Sequence, residues 1–147
     1  MKNALLFPLF GLAFVACQKS EESPADIAAP FQQAFALAYH QTAALPQQSS
    51  PELQVRLADL DDQRIQKGSP TYVPKSYVTA KLHVTLPGGP DQSISLCWGT
   101  CTTGTDSAAV AAPGVRYDIR LLSIEPTTGY DQTATKNKSV RLRITRR

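Results

Sequence analysis

Val115-Arg116-Tyr117-Asp118-Ile119-Arg120-Leu121 alternates apolar and polar side chains at every step, and Val140-Arg141-Leu142-Arg143-Ile144 does so again near the end of the chain. Successive side chains of an extended strand point to opposite faces, so this period of two marks half-buried strands; a helix would need apolar residues three and four apart. Working outward, Leu53, Val55 and Leu57 alternate in the same way, as do Tyr77 to Leu86, Ile94 to Trp98, and the continuation to Ile124. Turn chemistry separates the segments at Lys67-Gly68-Ser69-Pro70, Pro87-Gly88-Gly89-Pro90, Gly99 to Gly104, Ala112-Pro113-Gly114 and Pro126-Thr127-Thr128-Gly129. Parallel strands need long crossovers, usually helical, and no helical segment lies between these runs, so antiparallel pairing is expected. One sheet cannot bury both of its faces. The expected fold is therefore all-β, a small antiparallel two-layer sandwich.

One stretch reads two ways. Pro30 can open a helix over Phe31 to Leu45, with Phe31, Phe35 and Tyr39 on one face and five alanines of high helix propensity. Alternatively Phe35, Leu37 and Tyr39 alternate as a strand that turns at His40-Gln41. Local propensity favours the helix.

The N-terminus has the build of an export signal. Lys2 supplies the positive charge and Ala4 to Ala16 an apolar run of thirteen residues, where a membrane span needs about twenty. Phe14-Val15-Ala16-Cys17 looks like the lipobox of bacterial lipoproteins, which makes Met1 to Ala16 the signal peptide and Cys17 the lipidated first residue of the mature chain. Acyl chains such as palmitate on Cys17 would anchor it, at about 0.8 kcal/mol per buried methylene. Gln18-Lys19-Ser20-Glu21-Glu22 resembles the short Lys-plus-acidic signal that directs lipoproteins of Bacteroidetes-type bacteria to the cell surface. Gln18 also stands where an Asp would retain the protein at the inner membrane. The expected location is the outer membrane. The organisation that follows is a signal at 1–16, a lipidated cysteine with a flexible Ser-, Pro- and Ala-rich tether at 17–33, and the sandwich at 34–147.

Charge excludes little. The chain has 15 Lys and Arg against 12 Asp and Glu, net +3, and loss of Lys2 with the signal leaves 14 against 12, net +2. Lys136, Lys138, Arg141, Arg143, Arg146 and Arg147 crowd the C-terminus. A basic cluster of this kind can bind nucleic acid or anionic glycolipid. Its alternation with Val140, Leu142 and Ile144 instead reads as the wet face of a strand.

Cys97-Trp98-Gly99-Thr100-Cys101 is the most distinctive local feature. Nearby cysteines in an exported protein usually pair. Four steps along a straight strand span roughly 13 Å, and a disulfide tolerates about 4.4 to 6.8 Å between Cα atoms, so Gly99 must fold the chain back. The alternative is a soft-metal site for Cu(I), with Cys97, Cys101 and His83 as ligands. Catalysis has little to work with, since His40 and His83 are the only histidines and neither adjoins a nucleophile motif. Asp59, Asp61 and Asp62 lack the turn glycine and distal Glu of a calcium loop and read as a solvated strand end. Neither Gly88-Gly89 nor Gly129 precedes a helix start, so neither builds a phosphate loop. Tyr72, Tyr77, Trp98, Tyr117 and Tyr130 are candidates to line a glycan or peptide surface, although most sandwich aromatics are core.

Leu53 to Arg64 and Val115 to Pro126 together resemble a family of small uncharacterised bacterial lipoprotein or secreted β-domains. In that family an early strand ends in Asp-Ser-Arg-Cys-Pro, a Cys-x-Trp-x-Gly strand follows, and a Tyr-x-hydrophobic-x-Leu strand ends in Pro. The likeness spans residues 34 to 147. It implies an immunoglobulin-like sandwich in a secreted setting, favours a strand at 31–45, and carries no catalytic residue. Asp62-Gln63-Arg64-Ile65 keeps the Asp and the Arg, and the family's two cysteines have no counterparts here. Pro126-Thr127-Thr128-Gly129-Tyr130 resembles the loop by which chagasin-like inhibitors block papain-type proteases, without their Arg-Pro-Trp loop. Asp106-Ser107-Ala108 fits a short O-glycosylation pattern. The sequence thus points to a non-enzymatic binding or structural module of the envelope, without a cofactor. Its expected partners are the membrane, through the anchor, and an envelope protein or glycan; nucleic acid is not among them. Metal or thiol-redox work and protease inhibition are the alternatives.

Overall fold

The computed structural model describes residues 23–64 and 76–147; the expected export signal, Cys17, Tyr72 and the expected turn at 67–70 lie outside them. Nine strands are present among the described residues: β1 Ile27–Ala28, β2 Ala34–Ala38, β3 Thr42–Leu45, β4 Leu53–Asp62, β5 Tyr77–Thr85, β6 Gln92–Gly99, β7 Ser107–Ala112, β8 Val115–Glu125 and β9 Ser139–Arg146. They form two layers, a five-stranded sheet in the order β1-β3-β4-β5-β6 and a four-stranded sheet in the order β2-β9-β8-β7. Every pairing is antiparallel except β1 with β3. The chain is the expected all-β sandwich, immunoglobulin-like in its two-layer build and with its own strand order.

The alternating runs become strands because each carries one apolar face that only a second layer can dry. Leu53, Val55, Leu57, Leu82, Ile119 and Leu142 have no exposure at all. In β4 and β8, however, strict alternation breaks. Leu57 and Leu60 are three apart, as are Leu121 and Ile124, and all four are buried. Each strand reconciles them with a bulge: Ala58 is the extra residue between the Leu57–Leu82 and Asp59–Lys81 pairs, and Leu122 between the Leu121–Leu142 and Ser123–Arg141 pairs. One consequence is that Asp62, beyond the first bulge, shares the inward parity of Leu60.

Residues 31–45 are strands, so the helix favoured by local propensity is not formed. Phe35 and Leu37 lie opposite Leu142 and Val140 of β9, and Leu37 is fully buried. Tertiary burial of this face outweighs the few tenths of a kcal/mol per residue by which alanine favours helix. Backbone at Gln32 and His40 has positive φ, of 65° and 63°, which ends the strand geometry on either side. The turn at His40-Gln41 forms as expected, with Gln41 N–H donating to Ala38 O at 3.0 Å and Ala38 N–H to Gln41 Oε1 at 2.9 Å. The fold also begins earlier than residue 34. Ile27 and Ala28 pair with Ala43 and Ala44, and Ala29 is 1% exposed, so the segment assigned to a tether as far as 33 contributes its last part to the sandwich.

Candidate functional site

The end of β4 places three ionised side chains between the layers. The Asp62 carboxylate accepts from Arg64 Nε at 2.8 Å on Oδ1 and from Arg64 Nη2 at 2.6 Å on Oδ2. Lys138 Nζ donates to the same Oδ2 at 2.7 Å. The side chains are 3%, 4% and 7% exposed for Asp62, Arg64 and Lys138. Two cations face one anion, and neutral groups balance the surplus: Arg64 Nη1 donates to Pro126 O at 3.0 Å, and the guanidinium lies 4.2 Å from the centre of the Tyr130 ring. Burial pushes the Asp62 carboxyl up, but the hydrogen bonds from Arg64 and Lys138 outweigh it and hold the group below the ordinary value of 3.8. A carboxylate held ionised by this many donors cannot serve as a base near neutral pH. The node is a clamp that joins β4 of one sheet to the ends of β8 and β9 of the other.

This corrects two expectations. Asp62 is not part of a solvated acidic run, although Asp61 is exposed and Asp59 makes a half-exposed pair with Lys81 at 3.3 Å. Lys138 is not on a wet strand face either; it precedes β9 and points inward.

Cys97 and Cys101 form a disulfide, with Cα atoms 6.3 Å apart. Gly99 folds the chain as anticipated, at φ 97°, and a Cβ there would meet Ser76 O at 2.5 Å. Cys97 N–H donates to Thr105 O at 2.8 Å and Thr100 N–H to Ser76 O at 3.0 Å, so the loop is tied back on both sides. Closing so short a loop is worth about 2 kcal/mol in the chain-entropy model. His83 does not join this pair. It lies opposite Ser93, whereas Cys97 lies opposite Thr79, which puts His83 roughly 13 Å away along the strand. Asp61, Tyr77 and Thr79 line a small cleft of about 170 Å³ beside the disulfide.

The aromatic candidates do not assemble into one surface. Tyr117 is 2% exposed, its ring stacks on Phe31 at 5.7 Å, and burial followed by the Glu52 charge raises its hydroxyl above 10.0. Trp98 packs against the core. Tyr130 is held by Arg64, while Thr127, Thr128 and Gly129 are exposed at the tip of their loop. His40 stacks on Tyr39 at 4.0 Å. Among the described residues no three His, Cys, Asp or Glu side chains gather to hold a metal ion.

What the structure does assemble is basic. With Tyr117, Ile119, Leu121, Leu142 and Ile144 facing in, Arg116, Arg120, Arg141 and Arg143 face out from the two central strands of the second sheet. Arg120 lies opposite Arg143, and Arg116 exchanges backbone hydrogen bonds with Arg147 at 3.1 and 2.8 Å. Arg116, Arg120, Arg143 and Arg147, with Asp118 and Thr145, line a shallow basin of about 640 Å³. Arg116 pairs with Asp118 at 3.1 Å and Arg120 with Asp106 at 3.1 Å, and Arg147 with Asp118. Arg141 and Arg143 have no ion pair among the described residues. The C-terminal run is a wet strand face, and arginines from β8 that the local reading left out widen it into a patch. Comparison of the chain with protein-family models, curated proteins and solved structures found no match.

Proposed function

We propose that this chain is a lipid-anchored, non-enzymatic binding or structural module of the bacterial outer envelope. Cys17 carries the proposal: it stands at the break between a thirteen-residue apolar run and a polar segment, and an acyl anchor there puts the sandwich at a membrane surface. The Cys97–Cys101 disulfide supports it, because such bonds persist in oxidising compartments. The sandwich supports the non-enzymatic part. Its buried carboxylate is fully engaged by Arg64 and Lys138, and its described surface offers a basic patch. The likeness to small bacterial lipoprotein β-domains points the same way. Labelling of expressing cells with a radioactive fatty acid tests the anchor. Wild-type protein should incorporate label and partition into detergent, and Cys17→Ala should do neither; label retained by the variant would overturn the proposal.

A further inference from the structure

We infer that the outer face of the second sheet is a docking surface for the phosphate-bearing headgroups of an anionic lipid layer. The inference rests on the envelope reading for where such lipids are met, and not for the binding itself.

Five arginines, Arg116, Arg120, Arg141, Arg143 and Arg147, occupy this face against three carboxylates, Asp106, Asp118 and Glu125. The outer face of the first sheet is balanced by comparison, with Arg56 and Lys81 against Asp59 and Asp61. The excess is therefore a property of one side of the molecule. Arginine suits phosphate particularly well, since its planar fork donates two parallel hydrogen bonds and sheds water more readily than an ammonium.

Shape decides between polyanions. The flanking strands present only small side chains outward, Ala34, Ala36 and Ala38 on β2 and Ser107, Ala109 and Ala111 on β7. The guanidiniums thus rise from the middle of a low floor roughly 15 Å by 25 Å. Among the described residues no aromatic side chain stands between them, so single-stranded nucleic acid finds no stacking platform there. Among the described residues no helix or ribbon projects from this face to enter a duplex groove. Nor does the face offer the buried apolar anchors on which protein interfaces depend. A fluid, planar array of phosphates requires none of these, only a flat face of matching charge.

The test uses the mature chain with Cys17→Ser, which carries no acyl group, in sedimentation with vesicles. The protein should sediment with an equal mixture of phosphatidylglycerol and phosphatidylcholine and stay in solution with phosphatidylcholine alone. Added salt should release it, because exposed charges are screened. Arg141→Gln with Arg143→Gln should weaken binding roughly 25-fold, at about fivefold for each basic residue. Both side chains are exposed and make no ion pair among the described residues, so the fold should persist, and an unchanged melting curve checks that it does. Arg56→Gln with Lys81→Gln removes the same charge from the opposite face and should leave binding near the wild-type value. Equal losses in the two double variants, failure of the parent to sediment, or tighter binding to DNA or RNA at the same salt would each overturn the inference. Loss of the Cys17 labelling result would leave these measurements standing, so the two proposals fail separately.

Discussion

Asp62 and its neighbours Asp59 and Asp61 are alike in composition and opposite in environment. The difference was not legible locally, because it depends on Ala58, whose bulge resets which residues face inward. Arg64 and Lys138 were likewise invisible as a pair, being 2 and 76 residues from Asp62 in a contact that only the fold closes. With the carboxylate removed, two cations remain buried without their counterion, so Asp62→Ala should lower stability by about 3–5 kcal/mol in urea unfolding. Replacing all three by apolar residues, as in Asp62→Leu with Arg64→Met and Lys138→Met, should cost far less, since the desolvation of the charges is relieved together with their attraction. Acid provides a second reading. The folded state holds the Asp62 carboxyl below its unfolded value, so the unfolded chain binds the proton first as pH falls. Its contribution is complete above the ordinary value of 3.8 and disappears as pH drops through the depressed one. The stability gap between wild type and Asp62→Ala should therefore be constant near neutral pH and close below about pH 4.

At the level of the element, the alternating runs were readable because a strand's period survives any context that dries one face. Val115 to Leu121 and Val140 to Ile144 needed no knowledge of their partners. The edge segments were harder: Ala34 to Ala38 is rich in the best helix former, and only pairing with β9 makes it a strand. The two-residue β1 has too little pattern to detect at all. The bulges give a discriminating prediction. Ala58 is the surplus residue opposite Lys81, so its deletion leaves Leu53, Val55, Leu57, Leu60 and Asp62 facing inward and converts β4 to a regular strand. That variant should fold cooperatively with a modest loss. Deletion of Arg56, only two positions earlier, turns Leu53 and Val55 out to solvent and Gln54 into the core. Each exposed side chain forfeits about 1.5–3 kcal/mol, and burying the amide adds to the loss. Urea unfolding should show a native-like transition for the first deletion and none for the second.

For the whole molecule, the decisive relation is between the proposed N-terminal anchor and a sandwich whose first strand begins at Ile27. Among the described residues the buried core lies between Ala29 and Ile144, and the hydrogen bonds of Ala25 and Asp26 to Gln41, Thr42 and Gln48 are the outermost ties of the N-terminal side. Lys19 is the only basic residue between Lys2 and Arg56, and Arg56 is protected within β4, paired on both sides by β3 and β5. Brief trypsin treatment of membranes bearing the lipidated protein should therefore cut after Lys19 and separate the anchor from the fold. Mass spectrometry should find protein beginning at Ser20 in one fraction and an acylated Cys17-Gln18-Lys19 peptide in the other. On the proposed readings the severed sandwich keeps only its arginine face to hold it, so it should stay with anionic membranes at low salt and leave them as salt rises, whereas uncut protein should remain bound throughout. Salt-resistant retention of the Ser20-started fragment would mean that something other than the acyl chain and the arginines attaches this sandwich to the membrane.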